Sequence, residues 1–218
     1  MASLINAEKI VRDVIVMGAS AGGIRAVMTV LARLPAGLPA FMGVVIHRGA
    51  ASQEDWSEVL GMKARLRVVE PVNGERLLPG SVYLAPSDRH LTFVNGRAVL
   101  DGGAKEHSAR PAVDPLFLSA ARQFGRRVVG VVLSGGGHDG MQGLLAVTNV
   151  GGLSLAQKPS EAAAPAMPEY AIAHDHVSAA LSLEDLGDAL VALARGKAYA
   201  PASGNQGQLD GEDAALAG

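Results

Sequence analysis

The sequence predicts a three-layer αβα fold: a mostly parallel, doubly wound sheet, with one antiparallel hairpin set into it. Two observations predict it. Short β-branched runs alternate with amphipathic segments along most of the chain, and several of these runs end in glycine-rich turns. Composition agrees: 218 residues include 27 glycines and only 4% aromatics, which favours tight strand-to-helix turns over a β-sandwich.

Asp13–Met17 (DVIVM) stops at Gly18 as a buried parallel strand does. Ile24, Val27, Met28 and Leu31 recur at helical spacing, so a helix is expected from Gly22 to Arg33, ended by Leu34-Pro35. Phe41–Ile46 is a second strand, Glu54–Leu60 a short helix and Leu66–Val69 a third strand. The middle differs in kind, with short extended runs at Ser81–Leu84, Leu91–Val94 and Ala98–Leu100. Asn95-Gly96 joins the last two, and because both residues tolerate positive φ an antiparallel flap is expected there. Alternation then returns. Helices are expected at Val113–Phe124, His138–Val150, Pro165–Ala173 and Leu183–Arg195, and strands at Arg127–Leu133, Gly152–Ala156 and Ser178–Leu181. Such alternation implies right-handed crossovers and a Rossmann-like sheet covered on both faces. The expected organisation is a lead-in over 1–12, one domain over 13–195 and a flexible tail over 196–218, rich in Gly, Ala, Ser, Asn and Gln.

The bulk numbers exclude several functions. There is no cysteine, hence no disulfide, no thiol nucleophile and no thiolate metal site. A net charge of −2 gives no reason to expect nucleic-acid or anionic-membrane binding. No apolar run approaches the roughly 18 residues of a membrane span, and the N-terminal stretch, with Glu8, does not read as a secretory signal, so a cytoplasmic location is expected. Nothing calls for a cofactor or a metal. His174-Asp175-His176 reads as a polar turn, because i,i+2 histidines do not share a helix face and no third ligand is evident.

Three polar sites follow the C-terminal ends of three expected strands, where open parallel sheets bind ligands. Gly18-Ala19-Ser20-Ala21-Gly22 has the G-x-S-x-G form of a sharp strand–nucleophile–helix turn, although the serine could equally cap the helix. His47 follows Ile46 and suits a general base or a structural histidine. Ser134-Gly135-Gly136-Gly137-His138-Asp139-Gly140 follows the strand RVVGVVL. There Asp139 could orient His47, or could simply complement a helix dipole, and His138 competes for the role of base. The order Ser…His…Asp differs from that of α/β-hydrolases, whose nucleophile also follows several earlier strands. Asp88-Arg89-His90 reads as a solvated hairpin corner, and Trp56 as a residue packing a helix on the sheet.

With these residues in place the sequence resembles the CheB methylesterase domain. The matching stretches are VIVMGASAGG, VVIHRG, LLPGSVYLAPSDRHLTF, ARPAVDPLF, VVGVVLSGGGHDGMQGLLAV and LAQKPSEAAAPAMPEYAI, in the family's order. The resemblance implies hydrolysis of glutamyl methyl esters on the cytoplasmic region of chemoreceptors, releasing methanol, with glutamine deamidation in some members. It places nucleophile, base and acid on Ser20, His47 and Asp139. Oxyanion and substrate contacts would come from Ala21, Gly135, Gly136, Gly137, Arg110 and Met167. It implies no cofactor. The family's usual A-S-T-G-G has Ala21 here, its His-Met-Pro becomes His47-Arg48-Gly49, and His138 stands where Asn is frequent. These departures leave open a binding module with reduced turnover, or a hydrolase of another small ester or amide. Ser20 lies too near the start for a receiver domain to precede it, so a receiver is expected, if anywhere, on a separate protein.

Overall fold

β1 (Val14–Ala19) runs through the middle of a seven-stranded sheet whose strands are all parallel. In this computed structural model, which describes residues 5–6, 8–49, 55–174 and 177–201, the chain first builds outward on one side of β1. α1 (Gly23–Arg33) leads to β2 (Phe41–Ile46), and α2 (Trp56–Gly61) to β3 (Arg67–Val69). A two-residue β4 (Glu75–Arg76) follows, and then β5 (Ser81–Leu84), which inserts between β2 and β3. β6 (His90–Val94) and β7 (Arg97–Asp101) form the hairpin. After α3 (Val113–Phe124) the chain crosses to the other side of β1 and lays down β8 (Val128–Val132), α4 (Met141–Asn149) and β9 (Leu153–Gln157). α5 (Ala166–His174), β10 (Ala179–Leu181) and α6 (Leu183–Ala194) complete the fold. The strand order is β10-β9-β8-β1-β2-β5-β3, so the reversal of direction falls beside β1.

Every residue of β1 is buried, and its side chains alternate between two cores. Ile15 and Met17 meet Val27 and Leu31 of α1 and Leu186 and Leu190 of α6 on one face. Val14 and Val16 belong to the other face, with Leu116 and Phe117 of α3, Leu144 of α4 and Phe93 of β6. This is the period-2 pattern of a strand covered on both sides. α3 approaches closely because glycines face it. A Cβ on Gly43 would sit 2.6 Å from Phe93 Cζ and 2.9 Å from Leu116 Cδ1, and one on Gly18 would overlap Val113.

The fold class matches the sequence expectation, with three differences. Ser81–Leu84, grouped by sequence with the flap, belongs to the parallel sheet, and all four of its residues are buried. The antiparallel unit instead contains β4, in the order β4-β7-β6. The helix expected from His138 starts at Met141, because Gly137 (φ 85°) and Gly140 (φ 96°) hold left-handed backbone that a helix cannot contain. Asp139 therefore lies in the turn before α4.

Both ends of the described chain are tied to the body. Ile5 and Tyr199 exchange backbone hydrogen bonds of 2.9 and 3.0 Å. Buried Arg12 donates to the Arg126 carbonyl at 2.5 Å, to the Gly151 carbonyl at 3.1 Å and to Asn6 Oδ1 at 3.2 Å. The part of the expected flexible tail beyond residue 201 lies outside the described residues. No helix among the described residues is long and apolar enough to cross a membrane.

Phe117 is fully buried against the Gly143 face of α4 and beneath Gly130 of β8. Phe117→Ala should therefore lower unfolding free energy by roughly 3–5 kcal/mol, read as a lower urea midpoint at unchanged slope.

Candidate active site

The C-terminal ends of β2, β1 and β8 are adjacent, and each carries one of the polar groups picked out by sequence. Ala19 pairs with Ile46 at the end of the β1–β2 ladder, so Ser20 and His47 emerge side by side, and the His47 amide donates to the Ala19 carbonyl at 2.9 Å. Asp139 comes from the far side of β1, beyond β8. His47 Nε2 nonetheless meets Asp139 Oδ2 at 2.6 Å, bridging over the end of β1, where Ser20 sits.

Asp139 is 2% exposed and is held by more than the imidazole. Its Oδ2 also accepts from the Val113 amide at 2.6 Å and its Oδ1 from the Asp114 amide at 3.0 Å. These are the first two amides of α3, unsatisfied within the helix and at its positive end. Asp139 thus complements a helix N-terminus, as one sequence reading allowed, but that of α3 rather than α4. Burial is the largest influence on its carboxyl and acts to raise its pKa. His47 and the two amides together outweigh it, and the net shift is downward.

Ser20 does not cap α1; Gly22, at φ 75°, occupies that position without a side-chain cap bond. The Ser20 backbone is pinned instead. Its amide donates to the Ser134 carbonyl at 2.9 Å, and its carbonyl accepts from the Gly23 amide at 2.8 Å. Its side-chain oxygen makes no hydrogen bond to another described residue, so the serine and histidine adjoin without a closed bond between them.

The remaining candidates divide by position. A Cβ on Gly135 would lie 2.5 Å from Met167 Sδ and 2.9 Å from Ser20 Cβ, so Gly135 and buried Met167 form the floor beside the serine. The Gly135 amide is committed to the Ala164 carbonyl at 2.9 Å, and the Met167 amide donates to the Gly135 carbonyl at 2.9 Å. The amides of Ala21, Gly136 and Gly137 have no backbone partner among the described residues, and all three residues are exposed. Arg110 is occupied elsewhere. Its Nε and Nη2 hold Asp88 Oδ1 at 3.0 and 2.6 Å, and Nη1 holds the carbonyls of Gly102 and Gly103, so it braces the flap.

Sequence reasoning missed several residues that set this geometry. Ser134 Oγ donates to the Ala21 carbonyl at 2.7 Å and accepts from the Ala164 amide at 3.0 Å, while Gln157 Oε1 accepts from the Ser134 amide at 2.9 Å. This buried network locks the serine turn to the glycine turn. Asp114 accepts from the Gly143 amide at 2.7 Å and pairs with His107 Nε2 at 3.0 Å. Ligand atoms of His107, Asp114 and Asp139 lie within 4.8 Å of one another, but both carboxylates are already bonded to backbone amides. His90, read as part of a solvated corner, is buried. Its Nδ1 accepts from the Ala112 amide at 3.2 Å, so Nε2 carries the proton to the Ala104 carbonyl at 2.9 Å.

A serine, an imidazole–carboxylate pair and free turn amides at the switch point of a doubly wound sheet define a candidate serine hydrolase centre. The model of the CheB methylesterase family matches residues 15–190, and the chain belongs to that family. A Ralstonia nicotianae protein named protein-glutamate methylesterase/protein-glutamine glutaminase is 38% identical over 182 residues, covering 82% of this chain and 48% of its own length. An Anaeromyxobacter dehalogenans protein of that name, numbered 2, is 40% identical over 183 residues, covering 84% and 54%. The chain thus spans about half the length of these relatives, whereas it spans 94% of a Leptospira interrogans relative that is 34% identical. The crystal structure of the Thermotoga maritima CheB methylesterase catalytic domain superposes with a TM-score of 0.78 at 30% identity, over 84% of this chain and 98% of that one.

The lowered pKa of Asp139 fixes the sign of a pH effect. A depressed carboxyl contributes stability that is fully present above the ordinary carboxylate range, about pH 4, and is lost as pH falls through its folded value. Asp139→Asn should be less stable than the parent at pH 7, with the gap closing toward pH 3 in urea titrations.

Proposed function

We propose that this chain hydrolyses methyl esters of glutamate side chains on the cytoplasmic region of chemoreceptors, releasing methanol, with Ser20 as nucleophile, His47 as base and Asp139 as its orienting carboxylate. The observation that carries this reading is the 2.6 Å bond from His47 to Asp139, spanning the strand end that bears Ser20. Family membership and the names of the relatives support the substrate class. The unit we assign this activity is the domain over 13–195, acting in the cytoplasm.

Chemistry follows from which nitrogen is free. With Nε2 committed to Asp139, Nδ1 is the His47 nitrogen left to serve as base. Ser20 Oγ attacks the ester carbonyl as Nδ1 takes its proton, and Asp139 stabilises the imidazolium through Nε2–H. The Ala21 and Gly136 amides receive the tetrahedral oxyanion; a donor of this kind is worth roughly 10²–10³ in rate. Collapse expels methanol, protonated by His47. Water activated by the same nitrogen then releases the glutamate carboxylate and regenerates Ser20. Deamidation would use the same groups, with ammonia leaving in place of methanol.

The buried position of Arg48 argues that its departure from the family pattern does not alter this chemistry. Its Nη2 holds Glu70 Oε1 at 2.5 Å and the Ala85 carbonyl at 2.6 Å, and the guanidinium lies over Trp56 at 5.2 Å, away from His47's partner.

Ser20→Ala should reduce methanol release from methylated receptor membranes by roughly 10⁴–10⁶ with an unchanged circular dichroism spectrum. Undiminished release by that variant would overturn the assignment.

A further inference from the structure

A row of exposed rings runs along the rim beside the glycine turn and takes no part in the chemistry above. His107 precedes α3, His138 lies in the β8–α4 turn, and Tyr170 and His174 lie on α5. Successive ring centroids are 4.9, 5.8 and 4.2 Å apart. Their nitrogens are unevenly committed. His107 Nε2 is bonded to Asp114, and His174 Nδ1 to the Tyr170 carbonyl at 3.1 Å. His107 Nδ1 and both nitrogens of His138 have no hydrogen-bond partner among the described residues.

We propose that His107 and His138 form a binding site for a zinc-like divalent transition cation, with His107 Nδ1 and one His138 nitrogen as protein ligands and water in the remaining positions. The sequence alone called for no metal at these residues. The spacing fits. A tetrahedral ion with Zn–N bonds of about 2.0–2.1 Å holds the centroids of two ligating imidazoles about 5 Å apart, and these two stand at 4.9 Å with their planes at 83°. The supporting shell fits as well. A ligating histidine ordinarily donates its other ring N–H to a carboxylate, which orients the ring and raises its basicity. Asp114 fills that role at 3.0 Å, buried and anchored by the Gly143 amide. Imidazole nitrogen suits zinc, copper and nickel rather than magnesium or calcium.

The same reasoning excludes the neighbouring cluster of His107, Asp114 and Asp139. An ion there would have to displace three backbone amides and His47 from the two carboxylates. On the exposed side of His107 there is no such competing bond among the described residues. An ion so placed links the loop before α3 to the turn carrying Gly136 and Asp139, but its binding does not depend on the hydrolase reading.

The test is isothermal titration of the full chain, stripped with EDTA, with zinc chloride. One ion should bind. His138→Ala, at an exposed position where folding is not at stake, should weaken binding at least tenfold. Asp114→Asn should weaken it by roughly 10–100-fold, and His174→Ala should leave it unchanged. Full affinity in His138→Ala, or loss in His174→Ala, would overturn the site. Ser20→Ala should bind zinc normally while losing hydrolysis, so either reading can fail without the other.

Discussion

The Asp139 carboxylate at the N-terminus of α3 is the interaction on which the rest of the site depends. An ionised carboxylate at 2% exposure is unfavourable unless its lone pairs are satisfied. Three donors satisfy it: two amides from the first turn of α3 and the imidazole of His47. Those donors come from a helix and a strand distant in sequence, so the bond that would orient the base also fixes where α3 enters the sheet. Glycine is needed at Gly18 and Gly140, because a side chain at either would collide with Val113, whose amide is one of the donors. Fold and site share one set of contacts.

The departures from the family's usual sequence sit outside this set. Ala21 faces solvent, while its carbonyl is held by Ser134, so a missing hydroxyl there leaves the serine turn unmoved. Arg48 turns away from His47 to join the ends of β2, β3 and β5 through Glu70 and Ala85. Its Nε is buried without a hydrogen-bond partner among the described residues, and the Trp56 ring face offers the guanidinium partial compensation. His138 projects outward from the turn while its neighbour Asp139 projects inward. Each departure alters a surface or a brace and leaves the buried pair intact.

What could be read from sequence follows from what is local. β2 and α3 have the bounds expected for them, because their periodicity and flanking Gly or Pro residues lie within a few positions. Asp139 could be recognised as complementing a helix, but not which helix, since Val113 and Asp114 lie 25 residues or more upstream. The place of β5 is not legible because a four-residue apolar run fits a hairpin and an inner parallel strand equally well, and a pair like Glu75–Arg76 carries no periodicity. Asp114 carries no signal in the sequence beyond its place in the first turn of α3. Its partner His107 and its hold on α4 exist only once α3 and α4 pack together.

Asp114 and Asp139 meet at the first turn of α3, yet their pKa values are shifted in opposite directions. Burial, above all, raises the pKa of Asp114, and the charge on Asp139 adds to that effect against the Gly143 amide and His107. Asp139 has more donors on the same few ångströms of backbone, and its pKa is lowered. On acidification Asp114 therefore takes up a proton first. The carboxylate that holds the imidazole is thus the later of the two to lose its charge, because it accepts from three donors where its neighbour accepts from two.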